Sequence, residues 1–269
     1  MNLLTTEELS GWRDRGYLVL SSFFAPREVE AVNALIDRRM ANPSSFGKAT
    51  VDVLHGALVG QRLRAVEAPA EAFRGPIKIN DLFIDEPEVR DLALNRKLTQ
   101  ILSELLDGAP IICNSLNFLW GSQQPDHFDT WYMPPPVQNK LAVTSICLED
   151  VSPHAGPLAY YPGTHRIPPY RFSHGGIHAI ESEMPAGRAY IAEQMAAMKS
   201  ERKEFIGRQG DVFLWHGQLL HGGSRITEMR QTRKTLVTHY WRAQDVEPHF
   251  AFQVHESGYY YRRGHSSAG

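Results

Sequence analysis

The sequence predicts a mainly β protein with flanking helices, built as an antiparallel sandwich or jelly roll. Two observations predict it. Helical periodicity is concentrated in the first part of the chain, to about residue 108, with one later interruption. Beyond that point short β-prone runs follow one another, separated by turn residues.

Taken in order, Thr5-Thr6-Glu7-Glu8 reads as a capping box that opens a first helix, which ends near Gly16. Tyr17-Leu18-Val19-Leu20 is a short apolar strand. Pro26 suits the first turn of a second helix, with Val29, Val32, Leu35 and Ile36 on one face. From Pro43 to Gly75, Gly and Pro scatter among short apolar pieces, and the expectation is loop with minor structure. Ile77 to Phe83 returns to strand-like alternation, and Pro87 to Leu106 carries leucines at helical spacing, stopped at Gly108. Strand-like runs then follow at 111–113, 116–120, 141–148, 158–161, 211–215 and 234–241. A helix is expected over roughly 186–206, after a stretch rich in His, Gly, Pro and aromatics.

These elements are expected to form one domain over 1–269: a helical N-terminal part (about 1–108), a core (about 109–245) and a lid insertion (about 166–207). Hydrophobic residues make up 42% and charged residues 22% of the chain, enough to bury a core and to exclude disorder as the default. The formal net charge is −2 with both signs interspersed, so no basic stripe marks a nucleic-acid partner. Cys113 and Cys147 sit in strand-like runs as buried free thiols, which suggests a reducing compartment. The first residues lack a basic segment leading into an apolar run, and no stretch reaches about 18 apolar residues. A cytoplasmic monomer or homodimer with no membrane partner, acting on a small-molecule substrate, is expected.

The chemistry centres on His127-Phe128-Asp129. In an extended segment, residues two apart project to one side, so this His and carboxylate can reach one ion together. A lone His-x-Asp triplet is more often an exposed turn; a third donor is needed, and His221 in Leu220-His221-Gly222 offers it. Two His and one carboxylate on one side of an ion, with open positions opposite, is the arrangement of non-haem Fe(II) oxygenases. His216 competes with His221, and His165 in Pro-Gly-Thr-His reads as a turn residue. His239 is expected to face away from Arg233 as a core histidine.

The ordered set of motifs resembles the phytanoyl-CoA dioxygenase-like family of Fe(II)/2-oxoglutarate oxygenases. The resemblance runs through Gly16–Leu20 with Phe23-Phe24, Ile77–Asp81, His127–Asp129, Leu148–Ser152, His154–Leu158, Tyr161–His165, Gly210–Phe213, Leu220–Gly222 and Thr232–Lys234. It implies a double-stranded β-helix (jelly roll, cupin-like) core, with His127, Asp129 and His221 as iron ligands. It also implies Arg233 as partner of the distal 2-oxoglutarate carboxylate, for which a guanidinium supplies two parallel charge-assisted bonds. Arg230 is its rival. Arg233 is preferred because Arg233, Thr235 and Val237 share one face of the strand that opens there.

Lys78 looks like a family lysine that also touches the co-substrate, with a plain surface lysine as the alternative. Where the family often has Ser two positions after the distal His, this chain has Gly223, and Ser224 one further on, which leaves the second co-substrate contact open. Trp131, Tyr132, Asn117 and Trp215 are candidates to line a substrate pocket, or equally core packing. The resemblance implies decarboxylation of 2-oxoglutarate by O2 to succinate and CO2, with hydroxylation of a carbon on a small metabolite or acyl substrate. Asp129 argues against the halogenating relatives, which have a small residue there. Arg62, Arg64, Lys199, Arg202 and Lys203 read as solvated surface rather than a cluster for CoA phosphates, which favours a small metabolite. Two other readings stand beside this one: a jelly-roll binding protein whose metal is structural or absent, and a Lewis-acid hydrolase, which has no use for a co-substrate arginine.

Overall fold

The computed structural model describes residues 3–247, 252–261 and 264–265. Its elements are, in chain order, α1 (Thr6–Arg15), β1 (Tyr17–Leu20), α2 (Pro26–Ala41), β2 (Thr50–Val53), β3 (Arg62–Arg64), β4 (Ile77–Asn80), α3 (Pro87–Ala93) and α4 (Arg96–Leu106). There follow β5 (Pro110–Phe118), β6 (Leu141–Cys147), β7 (Leu158–Tyr160), α5 (Met184–Met198), β8 (Lys203–Phe205), β9 (Val212–His216), β10 (His221–Gly223), β11 (Thr235–Arg242), β12 (Phe252–His255) and β13 (Gly258–Tyr261).

Local chemistry sets the boundaries. Thr5 Oγ accepts from the Glu8 N–H while the Glu8 carboxylate accepts from the Thr5 N–H, closing the capping box on α1. Gly16 ends that helix with φ +79° and donates its N–H to the Trp12 carbonyl. The leucine-rich stretch predicted as one helix is two, because Asn95 leaves helical geometry and its side chain accepts from the Lys97 N–H to start α4. The segment read as loop between 43 and 75 contains β2 and β3, and the helix expected to run to 206 stops at Met198, with β8 after it.

A large sheet runs β1-β9-β6-β11-β5-β4-β2-β3, with β12 and β13 attached through a parallel pairing of β13 to β5. The other pairings are antiparallel, and β10-β7-β8 form a small second sheet. This is the helix-flanked jelly roll that the sequence predicts, with neighbours of the same fold reported below.

Strand alternation divides the core. Leu236 and Tyr240 of β11, with Ile146, Leu214 and Ile79 from neighbouring strands, face α2, α3 and α4 in one cluster. Each fully buried side chain of this kind stabilises by about 1.5–3 kcal/mol. The Tyr240 hydroxyl donates to the Ala93 carbonyl and ties α3 to the sheet. On the opposite face Phe118, Val143, Phe213, Trp215 and Val237 pack toward Tyr160 and Phe205 of the small sheet. The site lies between the sheets, on this second face. Among the described residues no helix is long and apolar enough to cross a membrane.

Candidate active site

His127 and His221 meet through the backbone. The His127 N–H donates to the His221 carbonyl at 2.8 Å and the His221 N–H returns a bond to the His127 carbonyl at 3.1 Å. Directly paired residues on antiparallel strands project to one side, so the two imidazoles stand next to each other, ring centroids 4.4 Å apart. Gly222 makes that approach possible: a Cβ there would lie 2.5 Å from Asp126 Oδ1 and 2.9 Å from the Gln124 carbonyl. Phe128 is extended (φ −105°, ψ 136°), its ring fully buried away from the site, and the chain then enters a single 3-10 turn at Asp129. Asp129 Oδ1 lies 3.9 Å from His127 Nε2 and 3.6 Å from His221 Nε2. The three donor atoms all fall within 4.8 Å of one another.

The surroundings fix which atoms are free. His127 Nδ1 bonds the Pro125 carbonyl at 2.9 Å and His221 Nδ1 bonds the Leu219 carbonyl at 3.0 Å, so each ring carries its proton on Nδ1 and presents the Nε2 lone pair. Trp215 Nε1 donates to Asp129 Oδ2 at 2.8 Å, leaving Oδ1 toward the imidazoles. Burial above all, then the neighbouring His221, pushes the His127 pKa down to about 4. Burial alone would raise Asp129, but His221, His239 and His127 hold its carboxyl far below the usual range. A neutral His127 and an ionised Asp129 are forms that a divalent metal takes up.

Two cavities meet at these residues. A narrow one of 50 Å³ runs between Phe118, Ser145, Trp215 and Val237 to Arg233. Arg233 is 6% exposed, and its guanidinium lies over the Phe118 ring, 5.7 Å from the centroid. Its Nε has no hydrogen-bond partner, no described carboxylate pairs with it, and burial lowers its pKa to about 10. A buried guanidinium left unpartnered at the end of a cavity fits a carboxylate arriving from outside. A wider cavity of 280 Å³, sharing His127, Asp129 and His239 with the first, is lined by Lys78, Arg62, Asn80, Asn114 and Tyr132.

The remaining sequence candidates divide. Arg230 is exposed and lines neither cavity. Lys78 lines the wider cavity and not the one that Arg233 lines, its Nζ 3.1 Å from Asp52 Oδ2. Trp215 lines the Arg233 cavity and Tyr132 the wider one, its ring edge-on to His127 at 5.6 Å.

Trp131 lines neither: it is 1% exposed and packs on Phe128 and Phe172. Asn117 is corrected as well, because residues 114, 116 and 118 of β5 face the cavities and alternation turns 117 to the helical side, beside Ile79 and Leu236. Ser224 is one residue too far along; Gly223 shares the side of His221, whereas Ser224 Oγ accepts from Arg202 at 2.5 Å and donates to Glu204 at 2.6 Å. His216 likewise points away from the triad, packing against Trp12 and His165 and accepting from the Gln218 N–H.

His239 is the one histidine whose side the sequence reading reversed. An even separation from Arg233 puts both on one face, and His239 Nε2 lies 3.2 Å from Asp129 Oδ1, within both cavities. Even-number parity from Arg233 was the signal that could have found it. Arg62, read from the sequence as solvated surface, lines the wider cavity, and Asp52 was missed; both strands were read as loop, and the alternation in Thr50-Val51-Asp52-Val53 was the available cue.

The phytanoyl-CoA dioxygenase (PhyH) family profile matches residues 12–234. Ectoine dioxygenase of Sphingopyxis alaskensis is 24% identical over 226 residues, covering 78% of this chain and 67% of that protein. Among solved structures, the non-haem α-ketoglutarate-dependent carbocyclase SnoK from nogalamycin biosynthesis superposes with a TM-score of 0.68 at 19% identity, covering 90% of this chain and 85% of its own. The apo form of EctD from S. alaskensis gives 0.66 at 18% identity, covering 99% and 87%. The protein is therefore a 2-oxoglutarate-dependent non-haem iron dioxygenase, using Fe(II), 2-oxoglutarate and O2. Within that class, the chain belongs to the phytanoyl-CoA dioxygenase family.

Proposed function

We propose that this dioxygenase hydroxylates a carbon of a small metabolite, with His127, Asp129 and His221 holding the metal and Arg233 holding the distal carboxylate of 2-oxoglutarate. The observation that carries this reading is the buried Arg233 guanidinium, unpaired by any described carboxylate, in the same cavity as three converging metal donors. A binding protein with a structural metal, or a hydrolase, gives no reason to keep that charge buried.

Fe(II), when bound, supplies the redox chemistry that couples decarboxylation of 2-oxoglutarate by O2 to oxidation of the substrate carbon. The chain's own residues supply position. The carbonyls of Pro125 and Leu219 keep both Nε2 lone pairs aimed at one point, and Trp215 holds the carboxylate in place between them. Phe118, Leu158, Trp215 and Val237 put apolar surface into the Arg233 cavity, which strengthens the guanidinium–carboxylate contact.

We read residues 166–207 as the cover of the site. Ile167, Phe172, Met184 and Ile191 pack on Phe128 and Trp131, fastening this segment directly onto the turn that carries Asp129. The Tyr132 pKa is raised by burial first, with Arg188 and Glu181 of the same segment close enough to act on it.

The test is calorimetric. Under anaerobic conditions with Mn(II), 2-oxoglutarate should bind to the wild type and fail to bind after metal removal by a chelator. In air with Fe(II) and a turned-over substrate, succinate should form in step with a product that gains one oxygen atom. A His127→Ala protein that releases succinate at the wild-type rate would remove the reading.

A further inference from the structure

The wider cavity has a charge arrangement of its own. Arg62 of β3 gives Nε and Nη2 to the two oxygens of Asp52 on β2, at 2.6 and 2.9 Å. Asp52 Oδ1 also accepts from Asn80 Nδ2 at 3.0 Å, and Lys78 Nζ lies 3.1 Å from Oδ2. Both carboxylate oxygens are thus taken twice, and Asp52 has no capacity left for a cationic ligand. Two cations bracket Asp52 on this wall, with Asp81 acting on Arg62 from nearby and Asp129 lining the same cavity, and among the described residues Arg62 Nη1 and the remaining Lys78 N–H groups have no protein acceptor.

These donors open into the same 280 Å³ space as His127, Asp129 and His239, a cavity that Arg233 does not line. The volume lies just below the range of about 300–1,000 Å³ typical of drug-sized ligands, which suits a small molecule. Its wall is made largely of amides, cations and Tyr132, with Leu116 and Met133 as its only aliphatic or thioether side chains among the described residues.

We propose that this cavity is the primary-substrate site and that it takes a small polar molecule bearing an oxyanion, received by Arg62 and Lys78 while Asp52 holds the two cations in place. This deepens the functional reading above and rests on it. The role given to Lys78 differs from a second contact to the co-substrate, since its side chain lines the wider cavity and not the one that Arg233 lines.

The experiment uses the full-length protein with Mn(II) and saturating 2-oxoglutarate, under nitrogen, at fixed ionic strength. Propionate and inorganic phosphate are the probes, each titrated by thermal shift and calorimetry. Both are small oxyanions, and whichever binds more tightly identifies the substrate group as carboxylate or phosphate. Arg62→Gln should weaken the better probe by about tenfold, in line with loss of one charge-assisted contact, while leaving the Kd for 2-oxoglutarate within about twofold.

Arg233→Gln should do the reverse, losing 2-oxoglutarate and keeping the probe. The proposal is overturned if neither probe binds the wild type more tightly than Arg62→Gln, or if Arg62→Gln weakens 2-oxoglutarate as much as the probe. If 2-oxoglutarate fails to bind the wild type while the probes still depend on Arg62, it is the oxygenase reading that fails and the anion site that stands.

Discussion

Replacing Arg233 with methionine separates the cost of a buried charge from its use. Burial lowers this guanidinium from 12.5 to about 10, which corresponds to on the order of 3 kcal/mol against the charged form in the free protein. Methionine fills a similar volume with no charge and forgoes the stacking on Phe118, which contributes about 0.5–1 kcal/mol. The free protein should therefore gain on the order of 2 kcal/mol, a rise in Tm of roughly 4–8 °C at about 2–4 °C per kcal/mol. The same change deletes two charge-assisted bonds to 2-oxoglutarate, each contributing about 1.5–3 kcal/mol, so its Kd should rise by roughly 100- to 1,000-fold or more. Thermal denaturation of metal-free protein and anaerobic calorimetry with Mn(II) measure the two effects. A variant that is less stable than wild type yet binds 2-oxoglutarate normally would refute the reasoning on both counts.

Four further outcomes follow from particular contacts. Trp215→Phe keeps the packing but removes the indole bond to Asp129 Oδ2, and should weaken metal affinity about 10- to 100-fold in a chelator competition with an unchanged circular dichroism spectrum. His216 is held neutral by burial, its pKa lowered from 6.5 to about 3. The unfolded chain therefore takes up this proton first, and stability present above pH 6.5 falls by about 1.4 kcal/mol per unit as pH drops toward the folded value; His216→Gln should flatten that part of a urea-melt pH series, and an unchanged slope counts against it. Asn117 is 1% exposed with neither side-chain polar atom paired, so Asn117→Leu should stabilise by about 1–3 kcal/mol and leave KM alone; a shifted KM would restore it to the substrate pocket. Gly222→Ala should push β10 off the 123–127 segment and abolish metal uptake, and retention of wild-type metal affinity would show that the close approach is dispensable.

The sequence made the helices, the strands and the three converging donors legible because each rests on short-range rules. Capping at Thr5, proline at the start of α2, and apolar spacing along β11 act within a few residues. His127 and Asp129 are joined by one extended residue, so their common side follows from local geometry. The bridge to His221 depends on pairing across the fold, and there the motif resemblance stood in for a contact that spacing could not reveal. The errors at Asn117, Ser224 and His239 are all errors of parity, since one residue of slip turns a side chain to the other face. The strands β2 and β3 at one margin of the large sheet were lost for a different reason. They are short and flanked by Gly and Pro, and their strand state depends on β2 pairing to β4 and β3 pairing to β2, which local propensity does not encode.

The wider cavity's charged wall is mounted on Asp52 of β2, Arg62 of β3 and Lys78 of β4, the last three strands at one margin of the large sheet. The outermost of them, β3, has a free side and can change length, sequence or tilt without disturbing β9 and β11, which carry Trp215 and His239, or Arg233 just before β11. A lineage built this way can trade one metabolite for another by redrawing its hem, while the oxidising machinery in the middle of the fabric is inherited intact.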